Sequence, residues 1–227
     1  MNKFIKLISL IIISLSVYII YNKTNNSCYK ITNIGDKLSL GVDNNIIEKG
    51  YIDYYKDYIK QEKKKVIIDN SYSNKSQTLN NTLLLIRNNS EIKRKIIESN
   101  LIIITLGYND LIYSINTEEK KDPKTMKKII KEINNDYNML INEINKYYHK
   151  DILVIGYYKN YNDDFINKGV VELNKILEKN KNIYYIDTYN TLNNREKYFN
   201  NLNSYYPNSR GHFEITKKII SKTLEIS

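Results

Sequence analysis

Tyr29-Lys30-Ile31-Thr32-Asn33-Ile34-Gly35-Asp36-Lys37-Leu38-Ser39-Leu40-Gly41 drives a short Ile-rich run into a bend closed at both ends by glycine. An apolar run that stops at a glycine and a carboxylate reads as a buried strand meeting a tight turn. The chain has only 7 glycines in 227 residues, so two in one bend mark backbone that other residues adopt poorly. Moving outward, short runs rich in Ile, Val or Tyr recur at 66–69, 101–106, 152–157 and 183–187, each ending in a polar or glycine cluster. Between them lie long amphipathic stretches, predicting helices at 46–63, 78–98 with a break, 125–148, 165–180 and 210–226. Strands alternating with helices predict an α/β fold: a five-stranded parallel sheet covered on both faces. The charged stretch 116–124, containing Pro123, reads as the one long loop.

Composition bounds the rest. With 41% hydrophobic and 26% charged residues the chain is globular, and its single cysteine, Cys28, excludes a disulfide framework. Two histidines, His149 and His212, are too few for most zinc sites, and nothing calls for a cofactor. The net charge of +10 raises nucleic-acid binding, but the lysines are scattered among abundant Asn, Ile and Tyr, a bias typical of AT-rich coding. No nucleic-acid partner is expected.

The N-terminus reads as an address. Lys3 and Lys6 precede an apolar run over 7–21, with Lys23 beyond it, and no small-residue cleavage site closes the run. An uncleaved signal anchor over 1–27 is preferred to a cleaved signal peptide, which would leave the protein secreted. Lipidation of Cys28 is disfavoured because Asn25, Asn26 and Ser27 replace the small apolar residues it needs. One domain over 28–227 would then face the cell exterior.

In parallel sheets ligands bind beyond the carboxyl ends of the strands. Four of the seven glycines fall at these exits: Gly35 and Gly41 after the first strand, Gly107 after the third, and Gly211 at the opening of the last helix. Gly35-Asp36-x-Leu38-Ser39-x-Gly41, Gly107-x-Asn109-Asp110 and Tyr206-Pro207-Asn208-x-x-Gly211-His212, in this order, resemble three blocks of the SGNH (GDSL-like) hydrolases. The resemblance runs from Tyr29 to Ser227. It implies a flavodoxin-like three-layer α/β/α sandwich and ester cleavage on carbohydrates or lipids.

The resemblance also shows what is missing. It puts Lys37 at the nucleophile position, Tyr206 at the base position and Asn203 at the position of the orienting acid. Asn109 stands where the family's asparagine donates to the oxyanion, and Asn74 where a glycine N–H does the same. Asp36, Lys37, Asn74, Gly107, Asn109 and Asp110 would line the cleft, with no catalytic member of the triad intact. A tyrosine with pKa near 10 is a poor proton acceptor, and an asparagine cannot stabilise an imidazolium. Losing such a triad costs on the order of 10⁴–10⁶ in rate.

Substitutes are weak. An acylated Lys37 would be a stable amide, Ser39 sits where it caps or packs, His212 reads as a helix histidine and His149 as a surface one. Asp36 and Asp110 are expected to accept backbone N–H bonds. The expected protein is a catalytically inactive binding or scaffolding module of the cell envelope. A glycan or acylated polymer would be its ligand, met by Tyr108, Tyr205 and Tyr206. The alternative is an active esterase or acetylesterase with a rearranged site.

Overall fold

The computed structural model describes residues 9, 12–16, 28–43, 46–47, 49–63, 65–159, 163–201 and 204–226. Five parallel strands form the sheet: β1 (Tyr29–Gly35), β4 (Val66–Asp69), β5 (Leu101–Thr105), β6 (Ile152–Ile155) and β7 (Tyr184–Ile186), in the order β4-β1-β5-β6-β7. The central β5 and β6 are buried along their whole length, which is why they read as continuous aliphatic runs. Chain order reverses at β1, whose neighbours are β4 on one side and β5 on the other. The crevice of such a sheet opens there, at the exits of β1 and β5.

The helices are α1 (Tyr51–Glu62), α2 (Leu79–Asn88), α3 (Ser90–Glu98), α4 (Tyr108–Thr117), α5 (Pro123–Asn145), α6 (Asp164–Glu178), the short α7 (Arg195–Tyr198) and α8 (Ser209–Ile226). α1 packs with α8, while α5 packs with α2, α4 and α6. Right-handed crossovers put these groups on opposite faces, giving three layers. The break inside 78–98 is Asn89, whose carboxamide accepts from the N–H groups of Glu91 (2.8 Å) and Ile92 (3.2 Å) and so caps α3.

Three expectations need correction. Residues Ile46–Ile47 are not the start of a helix but the strand β3, paired antiparallel with β2 (Val42–Asp43). α1 begins only at Tyr51, after extended Gly50, because glycine favours a helix boundary over a helix interior. The exit of β5 is not wholly loop: α4 fills 108–117, burying Leu111 and Ile115 at a spacing of one turn. The loop is therefore shorter than 116–124, and Pro123 opens α5 at a position where its missing N–H costs nothing, behind the cap Asp122.

Among the described residues no helix is long and apolar enough to cross a membrane. The anchor expected over 1–27 falls almost entirely outside them; of it, only residues 9 and 12–16 are described, as helix.

Candidate functional site

The exit of β1 is built by close approach. A Cβ on Gly35 would stand 2.7 Å from the Ser39 Cβ and 2.9 Å from the Thr105 carbonyl, so only glycine lets the bend lie on β5. The Asp36 N–H then donates to that same carbonyl at 3.0 Å. The Asp36 side chain is fully buried. One carboxyl oxygen accepts from the Leu38 N–H at 2.9 Å, and the other accepts a short bond from the Tyr157 hydroxyl. Burial pushes the Asp36 carboxyl up to about 7, with the two donors acting the other way and the charge of Asp110 adding to the rise. Burial likewise raises the Tyr157 phenol well above its ordinary value.

Lys37, half-exposed, opens a single 3-10 turn over Leu38–Leu40. Its ammonium stands 4.4 Å from the centre of the Tyr206 ring, within cation–π range. The positions that the resemblance assigns to nucleophile and base are thus neighbours in space. Asn203 lies outside the described residues.

The remaining cleft positions brace the loops. The Asn74 N–H donates to the Gly35 carbonyl at 3.0 Å, tying the β4 exit to the β1 exit. The carboxamide nitrogen of Asn109 donates to the carbonyls of Lys75 (3.1 Å) and Gln77 (2.9 Å), so both its hydrogens are committed to the 71–77 loop. The amide donor that the resemblance assigns to the oxyanion at Asn109 is therefore bound to backbone oxygens. Asp110 accepts from the Leu79 N–H at 3.1 Å, at the start of α2, and burial raises its carboxyl to about 6. Gly107 caps α4 at φ +108°, and a Cβ there would meet Tyr137 at 3.1 Å. Both aspartates accept backbone N–H bonds, as the sequence led one to expect.

The substitute nucleophile and bases are engaged elsewhere. The Ser39 hydroxyl, buried, donates to the Asp36 carbonyl at 2.7 Å. His212 is buried on α8, and its Nδ1 accepts from the Tyr51 N–H at 3.3 Å, the first amide of α1. His149 is exposed. Among the described residues no group of three or more His, Cys, Asp or Glu side chains could hold a metal ion.

A cleft does form here, but a narrow one. Tyr108, Tyr157, Tyr158 and Tyr206 wall it, joined by Lys159, Arg195, Ser204 and Tyr205. Tyr108 stacks on Tyr157 with ring centres 5.1 Å apart, and Tyr158 donates to the Tyr205 carbonyl at 2.7 Å. Arg195 donates to the Ser204 carbonyl at 2.6 Å. The space left is about 10 Å³, enough for roughly one water molecule. The buried Ser204 hydroxyl has no hydrogen-bond partner among the described residues. Sequence reasoning found Tyr108, Tyr205 and Tyr206 but missed Tyr157, Tyr158, Arg195 and Ser204. The signal for the first two was Gly156, which ends an apolar run as Gly35 does.

No family model matches the chain. Among solved structures, a lipase from a goat-rumen metagenome superimposes with a TM-score of 0.72 at 22% identity, covering 86% of this chain and 97% of that one. This is the SGNH (GDSL-like) hydrolase fold. An acetylxylan esterase from Geobacillus stearothermophilus shares it at a TM-score of 0.65 and 14% identity, over 86% of this chain and 94% of the esterase. A member of the lipolytic G-D-S-L family from Veillonella parvula shares it at 0.63 and 17%, over 86% of this chain and 97% of that one. In sequence, the spore germination lipase LipC of Bacillus licheniformis is 25% identical over 198 residues, 83% of this chain and 93% of LipC. The resemblance read from the three sequence blocks stands, and the chain is a divergent example of the SGNH fold.

Proposed function

We propose that this SGNH-fold protein has lost ester hydrolysis and acts as a binding or scaffolding module at the outer face of the cell membrane, held by its N-terminal segment. A cell-envelope glycan or acylated polymer is the proposed ligand. The observation that carries the loss of hydrolysis is the pairing of Lys37 with Tyr206 at 4.4 Å: a cation and a phenol ring stand where attack and proton transfer would occur. Three further facts support it. The Asn109 amide is committed to backbone carbonyls, Ser39 and His212 are bonded away from each other, and the cleft has room for little more than a water. Without a base in reach, a hydroxyl nucleophile is not activated at neutral pH. The outward, anchored location rests on the Lys-flanked apolar run over 7–21.

The alternative is an ester hydrolase with a rearranged site. It draws on the likeness to lipases and on the Ser204 hydroxyl, buried in the cleft without a partner among the described residues. One assay separates the two. The purified full chain, given p-nitrophenyl acetate and butyrate, should turn over no faster than its Lys37→Ala/Asn109→Ala double variant. Turnover that exceeds this background and disappears in Ser204→Ala would establish the alternative. For the location, protease added to intact cells should digest the domain, and survival of the domain would place it inside.

A further inference from the structure

Away from the strand-exit cleft, α5 and α6 enclose a second and much larger concavity of about 590 Å³. Small-molecule sites span about 300–1,000 Å³, so this one is of ligand size. Its floor is apolar: Met126 and Ile130 from α5, Phe165 and Val171 from α6, and Pro123 at the edge. Met126 and Ile130 are 6% and 9% exposed, so the floor belongs to the core and is not a loose surface patch.

The rim carries the second observation. Lys121, Lys127 and Lys168 line the groove and are exposed, and among the described residues none has a carboxylate within ion-pair distance. Neighbouring lysines differ: Lys128 is held by Glu118 at 2.8 Å. The one acid on the rim, Glu172, is already engaged by Lys175 at 2.6 Å. The groove therefore combines a hydrocarbon floor with an excess of positive charge at its edge, three lysines to one glutamate. A neutral apolar guest would leave the charge unmatched, and a small anion would leave the floor wet. Lysine stems lie along apolar surface while their ammonium groups reach the head of a guest.

We propose that the α5–α6 groove binds a single-chain amphiphile with an anionic head, a fatty-acid carboxylate, its tail on Met126, Ile130, Phe165 and Val171 and its head between Lys121, Lys127 and Lys168. This site is separate from the tyrosine-walled cleft and does not depend on whether that cleft hydrolyses esters.

A diazirine-bearing analogue of dodecanoate, photolysed with the full chain in uncharged detergent and mapped by peptide mass spectrometry, tests it. Adducts should fall within 121–130 and 165–172. Unlabelled dodecanoate should compete at least about ten-fold better than dodecanol, and the Lys127→Glu/Lys168→Glu variant should lose that preference. Val171→Trp, which fills the groove from the half-buried side of its floor, should cut adduct yield about ten-fold with an unchanged thermal melt. Equal competition by dodecanol, adducts confined to other segments, or indifference to the lysine reversals would overturn the proposal. So would light scattering that shows a dimer which Val171→Trp dissociates, since a second copy of the chain would then occupy the groove.

Discussion

Asp36→Asn should stabilise the domain at about pH 8 and abolish most of the stability loss that the parent protein suffers between about pH 4 and pH 7. The Asp36 carboxyl titrates near 7 in the folded protein against an ordinary value of 3.8, chiefly because it is buried. Between those values the folded state holds a proton that the unfolded chain has released. Stability therefore falls as pH rises through this window and levels off above the folded pKa. At about 1.4 kcal/mol per pKa unit, the effect is of order 4 kcal/mol, a large part of a typical folding free energy.

Asp110, raised to about 6, acts in the same direction. Asp69, Glu98, Asp122 and Glu143 are shifted down, and their contribution is lost only as pH falls below the ordinary carboxylate range. The maximum should lie near pH 4, where the two sets of shifts meet. Asparagine has the shape of the neutral acid: its oxygen can accept from the Leu38 N–H, and its NH₂ can donate to the Tyr157 oxygen in place of the bond that Tyr157 donates to the carboxylate. Asp36→Ala has neither group. It strands two buried donors at about 1–3 kcal/mol each and should lower stability at every pH. Urea titrations of the three proteins across this range decide the matter, and parallel pH profiles for the parent and Asp36→Asn would refute it.

How much of this was legible beforehand follows the range of the interactions. The run 66–69 coincides with β4, and the runs 101–106 and 183–187 match β5 and β7 to within a residue at either end, because their cores are continuous aliphatic or aromatic stretches. β6 was drawn too long: Tyr157 looks like strand, but its backbone pairs with the Asn174 carboxamide instead of with a neighbouring strand. α4 has no counterpart among the expected helices although Leu111 and Ile115 carry its period, since Gly107-x-Asn109-Asp110 stands out as a strand-exit motif instead. At the site, the meeting of Lys37 with Tyr206 follows from motif order, both lying at the crevice end of the sheet. The Asp36–Tyr157 bond does not. It joins residues 121 apart in the chain, and no local pattern marks a tyrosine as the partner of a buried acid. The commitment of Asn109 to the 71–77 loop was equally hidden, because a motif names a donor without saying where its hydrogens point.

That commitment sets the size of the last effect. Lys37→Ser, Tyr206→His and Asn203→Asp together restore the residue types of the family triad at the positions the resemblance assigns, position 203 lying outside the described residues. An intact triad is worth on the order of 10⁴–10⁶ in rate, and one oxyanion donor on the order of 10²–10³. The triple variant gains the first and still lacks the second, because the Asn109 hydrogens remain on the Lys75 and Gln77 carbonyls. Narrowing the ring at 206 also opens a cleft that now holds about one water. Hydrolysis of p-nitrophenyl acetate should therefore rise on the order of 10²–10³-fold over the parent chain, well below the full value of a triad. Each single substitution should gain almost nothing, since the three groups act as a unit. A folded triple variant with no gain would show that positions 37, 206 and 203 are not the catalytic ones. A gain of the full size would show that the Asn109 amide leaves its carbonyls for the oxyanion, and that the inactivity lay in the three substituted side chains alone.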